Sequence, residues 1–209
     1  MPDLAPVPDE WWGRPCLAYH VQPELREEAV QALGRVQQRV AALWPQPLFL
    51  APPEALHVTI YPLAMVPDLY DKEAYWQRVA PLAREILAQS CADAPPLRLD
   101  FFRLKVTNVA IIAVARDETG LIEAIRRRIV ETVPPPPVRG PIHYDLIHST
   151  LARYRSPTPI PASAIEQVEA LPVAVTAAVP GINVVRETSF PCLARDLLHA
   201  EPVGRARAA

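Results

Sequence analysis

Apolar positions along this chain follow two rhythms, short runs of strand length and longer stretches with helical spacing. Residues 16–21 (CLAYHV) read as a strand. From 23 to 43, Leu25, Ala29, Leu33, Val36, Val40 and Leu43 fall on one helical face. A proline-containing stretch, 45–53, leads into strand composition at 56–63 (LHVTIYPL), then a helix over 70–89 and a strand over 97–104. The second half repeats the order: an apolar run at 109–115 (VAIIAVA), a helix over 118–132, and a loop at 134–141 with four consecutive prolines. A strand at 146–154, a helix at 162–171 and strands at 173–179 and 182–187 follow. Beyond Phe190 the pattern fades, and 201–209 reads as a frayed tail.

Both halves thus run strand, helix, proline loop, strand, helix, strand. His57 and His148 are 91 residues apart, and the same offset carries the strand at 16–21 onto 107–112, overlapping the VAIIAVA run. The pattern predicts one domain, 1–209, of two related lobes (16–104 and 109–187) about an approximate two-fold axis, with 1–14 and 201–209 peripheral. With the two-fold internal, a monomer with no obligatory protein partner is expected.

Composition narrows the partners. The chain is 50% hydrophobic and 21% charged, with a formal net charge of −2. That balance belongs to a globular protein and argues against a protein that coats long nucleic acid, while leaving room for a small anion in a local basic cleft. Cys16, Cys91 and Cys192 form no Cys-x-x-Cys pair, and there is no His-Glu-x-x-His helix, so no metal or cofactor is expected. Buried free thiols, the absence of a signal-like start and the absence of a membrane-spanning run together predict a cytoplasmic protein.

The chemistry concentrates in two motifs at equivalent places, His57-Val58-Thr59-Ile60 and His148-Ser149-Thr150-Leu151. Residues i and i+2 of a strand share a face, so each histidine stands beside its threonine while Val58, Ile60, Ser149 and Leu151 point inward. Two such pairs across a cleft suit phosphoryl chemistry. Imidazole serves as acid or base near neutral pH, and threonine hydroxyls donate to non-bridging phosphate oxygens.

These residues resemble the two-histidine (2H) phosphoesterase superfamily, whose signature is a pair of His-x-(Thr/Ser)-x strands flanked by apolar residues. His148-Ser-Thr-Leu-Ala-Arg153 is similar to the form found in bacterial 2′-5′ RNA ligase-like cyclic phosphodiesterases. The first motif runs on as Tyr61-Pro62-Leu63-Ala64 where that branch tends toward Phe-Leu-Gly. The resemblance implies a bilobal α+β fold, two antiparallel sheets lining a central cleft with helices outside. It implies hydrolysis of a 2′,3′-cyclic phosphate or a 2′-5′ phosphodiester of an RNA end or nucleotide. By that analogy His57 is the acid, His148 the base, and Arg153 a substrate contact. Two other readings are a nucleotide- or RNA-end-binding module without turnover, and 2′-5′ ligation at the same site.

Tyr61 shares the parity of His57 and Thr59, so it is a candidate to stack on a base or line the cleft, and equally one for packing at a strand end. Arg126-Arg127-Arg128 reads as a solvated helix face. His143 fits a loop at the cleft rim, His199 an exposed position near the tail, and Trp11 and Trp12 anchors for the N-terminal segment. The partner of His20 and the role of Arg186-Glu187 stay open, the latter between a buried ion pair and a cleft lining.

Overall fold

The computed structural model describes residues 3–204. Its elements are β1 (Pro15–Pro23), α1 (Glu27–Leu43), β2 (Leu48–Leu50), a 3-10 turn (Pro53–Ala55), β3 (Tyr61–Ala64), α2 (Lys72–Cys91), β4 (Leu97–Val106) and β5 (Ala110–Arg116). They continue as α3 (Leu121–Thr132), β6 (Ile147–Tyr154), α4 (Ala162–Glu169), β7 (Val175–Val179), β8 (Gly181–Ser189) and β9 (Ala194–Pro202). Every ladder is antiparallel, and the strands form a four-stranded sheet, β3-β1-β8-β9, and a five-stranded sheet, β2-β6-β5-β4-β7. Helices α1 and α4 pack on the larger sheet, while α2 covers β1, β3 and β9 and carries α3 beside it. This is the α+β architecture expected of the motifs. Among the described residues no helix is long and apolar enough to cross a membrane.

The sheets do not coincide with the halves of the chain. Strand β4, at the end of the first half, pairs with β5 and β7, whereas β8, from the second half, pairs with β1. A tight turn explains the first exchange: Thr107 N and Oγ1 both donate to Ala110 O, folding β4 back on β5 as a hairpin. Position by position, β3, β1, β8 correspond to β6, β5, β4.

Local chemistry sets the helix starts. Pro23 still belongs to β1, paired with Ile182, so α1 begins at Glu27 rather than at 23. Before α3, Gly120 takes φ 74° and the Asp117 carboxylate accepts from Thr119 N and Ile122 N, which delays the helix to Leu121. The segment after Phe190 is not featureless, and Glu201 and Pro202 are strand rather than tail. They end β9, an edge strand mostly exposed over 194–197, where no buried face imposes an apolar alternation. Residues 205–209 lie outside the described part of the chain.

Candidate active site

The two motifs meet where the chain passes from one sheet to the other. Strand β2 pairs with β6 in the larger sheet; after the 3-10 turn, β3 pairs with β1 in the smaller one. Residues 57–60 make the crossing, so His57 and Thr59 stand just before a strand that begins at Tyr61, not within one running 56–63. A single isolated antiparallel bridge, Val58 to Ser149, joins this segment to β6. That register sets His57 opposite Thr150 and Thr59 opposite His148, with the two histidines as diagonal neighbours. Val58, Ile60, Ser149 and Leu151 are all 0% exposed, while both histidines and both threonines are half-buried on the other face.

A cavity of about 170 Å³ contains His57, Thr59, His148, Thr150 and Arg153, together with His20, Tyr144, Glu187, Phe190 and Cys192. His57 Nδ1 donates to Ala55 O at 2.7 Å, which presents Nε2 to the cavity. Burial is the main influence on the His57 pKa and lowers it; the Ala55 carbonyl and Glu187 favour the cation, and Arg195 and Arg153 oppose it. His148 is pushed down to about 4, first by burial and then by His57, Arg126 and Arg153. Every one of these influences disfavours the cation, so at neutral pH His148 is an unprotonated imidazole.

Two buried polar side chains support the motifs from behind. Gln37 on α1 donates Nε2 to Ala51 O and Leu151 O, both at 2.7 Å, fixing the β2 end against β6. Arg126 on α3, 6% exposed, donates to Ile60 O and Leu146 O, each at 2.9 Å, and so ties the segment after Thr59 to the segment before His148. Arg126 is therefore not part of a solvated face, although Arg127 beside it is exposed. The sequence does carry a signal for this: Arg126 falls at core spacing with Ile122, Ile125 and Ile129, all nearly or fully buried.

Arg153 lies in the cavity with its guanidinium 5.0 Å from the Phe190 ring and its Nε 3.3 Å from the Asp9 carboxylate. Asp9 comes from the N-terminal segment, where Asp9 N bonds Tyr154 O and Trp12 stacks on Phe49 at 4.9 Å. Tyr61 is not brought to the cleft. It is 6% exposed and its hydroxyl accepts from Ile142 N, because the proline loop folds over that end of β3, with Arg139 donating to Pro62 O. His143 is exposed on that loop, and His199 is half-buried on β9 beside Glu201 rather than exposed.

His20 and Glu187, whose roles the sequence leaves open, turn out to be partners. His20 Nε2 donates to Glu187 Oε2 at 2.6 Å, Glu187 Oε1 accepts from Cys192 N at 2.7 Å, and all three residues line the cavity. His20 and Glu187 come together because β1 and β8 are neighbours with Ala18 opposite Glu187.

No family model matches the sequence, and no curated protein matches it. Solved structures do resemble the fold. TT0787 of Thermus thermophilus superposes with a TM-score of 0.62 at 22% identity, over 89% of this chain and 97% of that one. LigT of E. coli, complexed with ATP, gives 0.59 at 14% identity, over 91% and 99%. A phosphoesterase gives 0.55 at 14% identity, over 90% and 99%. At these identities the likeness establishes the architecture and leaves the chemistry to the residues. The chain has the fold shared by LigT and these phosphoesterase-like structures, the one expected of the 2H superfamily.

Proposed function

We propose that this protein is a 2H phosphoesterase that hydrolyses a 2′,3′-cyclic phosphate or a 2′-5′ phosphodiester of a nucleotide or RNA end. The Val58–Ser149 bridge carries the reading, since it brings the two motifs side by side, with both histidines and both threonines lining one cavity. LigT has been crystallised with phosphate, ATP, NADP+ and 3′-AMP, which supports a nucleotide-like ligand for the same architecture. The three free thiols suit a reducing compartment such as the cytoplasm.

The electrostatics support a division of labour. His148 stays neutral and takes a proton from the attacking water as that oxygen bonds phosphorus. His57 is the acid by the family analogy; a carbonyl on Nδ1 and Glu187 favour its charged form against burial, and its Nε2–H protonates the departing 3′ oxygen as the P–O bond breaks. A 2′-phosphate is left. Thr59 and Thr150 donate to the non-bridging oxygens, where charge accumulates. No step of this scheme requires a metal.

The test is incubation of EDTA-treated protein with 2′,3′-cyclic nucleotides and a cyclic-phosphate-ended oligonucleotide, with products resolved by chromatography. Release of a 2′-phosphate, lost in His57→Ala and in His148→Ala, is expected. Full activity in both folded variants would exclude the scheme, and tight nucleotide binding without product at any pH would turn the reading toward a binding module.

A further inference from the structure

The floor of the cavity holds a donor set that the hydrolytic scheme does not use as a unit. His20 Nε2, a Glu187 carboxylate oxygen and Cys192 Sγ all lie within 4.8 Å of one another. His20 and Glu187 side chains are 12% and 3% exposed, and Cys192 is 2% exposed. These are one nitrogen, one oxygen and one sulfur donor, gathered from β1, from β8 and from the turn between β8 and β9. In a tetrahedral zinc site, bonds of about 2.0–2.3 Å separate ligand atoms by roughly 3.3–3.8 Å. Side-chain adjustments of about 1 Å, closing the longer separations and opening the shortest, bring the set into that range. The pair at 2.6 Å, His20 and Glu187, is hydrogen-bonded and opens by about 0.7–1.2 Å when a cation replaces the proton between them.

The backbone at Cys192 supplies an independent observation. Among the described non-glycine residues, Cys192 alone takes a positive φ, 55°. Glycine adopts that conformation without steric cost, so a cysteine there sits against the local preference. Nor does the thiol sit in the apolar surroundings usual for a buried free cysteine. Its neighbours are the Glu187 carboxylate and the Gln22 amide, whose Nε2 lies 3.4 Å from Sγ.

We infer that His20, Glu187 and Cys192 form a binding site for a divalent transition metal of borderline softness, zinc in the first place, with its fourth position open to the cavity that holds His57. Mixed N, O and S donors favour such an ion over magnesium or calcium, which take oxygen ligands. On binding, the Cys192 thiol releases its proton to solvent and the thiolate bonds the metal, so affinity rises with pH. No oxidation change is involved, and the inference does not depend on the hydrolytic reading.

Cobalt(II) is the probe, because a thiolate ligand gives it a charge-transfer absorption in the near ultraviolet and four-coordination gives intense visible bands. Titration of the metal-free protein is expected to produce both at one equivalent, and one equivalent of zinc is expected to abolish them. Cys192→Gly removes the sulfur while relieving the positive φ, so the variant is expected to fold and to lose the charge-transfer band. His20→Ala is expected to weaken cobalt binding at least tenfold. Absence of the band in the wild-type protein, or its persistence in folded Cys192→Gly, overturns the assignment. Both readouts are taken without substrate, so a protein that binds cobalt but turns over no phosphoester would still bear out the site.

Discussion

The two motifs read alike and are built differently. His148 sits within strand β6, paired with Val114 of β5, while β2 joins the same strand only at Ala152–Tyr154. His57 sits on a segment between sheets, joined to its neighbour by one bridge and oriented by a carbonyl two residues back. Their electrostatics differ in the same sense. Burial lowers both pKa values; the other influences on His148 all disfavour its cation, whereas at His57 the Ala55 carbonyl and Glu187 favour the cation and Arg195 and Arg153 oppose it. A near-repeat in sequence is thus set in two different surroundings, with the motif residues unchanged.

The largest test of that difference is removal of each ring. His57→Ala and His148→Ala are each expected to lower kcat by about 10²–10⁴-fold. A substrate with a better leaving group sharpens the comparison: it is expected to rescue His57→Ala and not His148→Ala, in steady-state rates. Equal rescue of both would erase the division of roles. Thr59→Val and Thr150→Val are expected to cost about 10²-fold in kcat with little change in KM, if the hydroxyls serve mainly the transition state.

The pH profile of kcat/KM is a finer test. The base must be neutral, so activity is lost as pH falls through about 4, the value for His148. The acid must be protonated, so activity is also lost as pH rises through a His57 pKa that burial holds below its ordinary 6.5. Glu187→Gln removes a group that favours the His57 cation, and the alkaline limb is expected to move further down while the acid limb stays nearly in place. A profile unchanged by this substitution would remove Glu187 from the account of the acid. The smallest effect concerns Tyr61. Tyr61→Phe removes one acceptor for Ile142 N and is expected to cost about 1 kcal/mol of stability, measured by denaturant melts, with KM unaltered.

What can be read from the sequence is local. The alternation His57-Val58-Thr59-Ile60 assigns inward and outward positions correctly because strand parity depends only on neighbouring residues. The order of strands and helices follows from apolar spacing for the same reason. What escapes depends on pairings across the chain. The passage of 57–60 between sheets is invisible without knowing that β2 joins β6 and β3 joins β1. Arg126 reads as solvated because its partners are backbone carbonyls of residues 60 and 146, which carry no signature in side-chain sequence. Tyr61 has the right parity but lies beneath a proline loop. His20, Glu187 and Cys192 are scattered through the chain, and only the β1–β8 pairing brings the first two together.

The exchange of β4 and β8 between the sheets bears on how the molecule can be divided. A break in the turn at 107–109 would yield one piece with His57, β1, β3 and β4, and another with His148, β5, β6 and β8. Each sheet would then be shared between the pieces, and each piece would keep one of the two rings. Neither could act alone, and recovery of turnover on mixing would report docking directly. The folding unit is thus the interlocked pair of halves, and the turn at 107–109 is the natural place to split it.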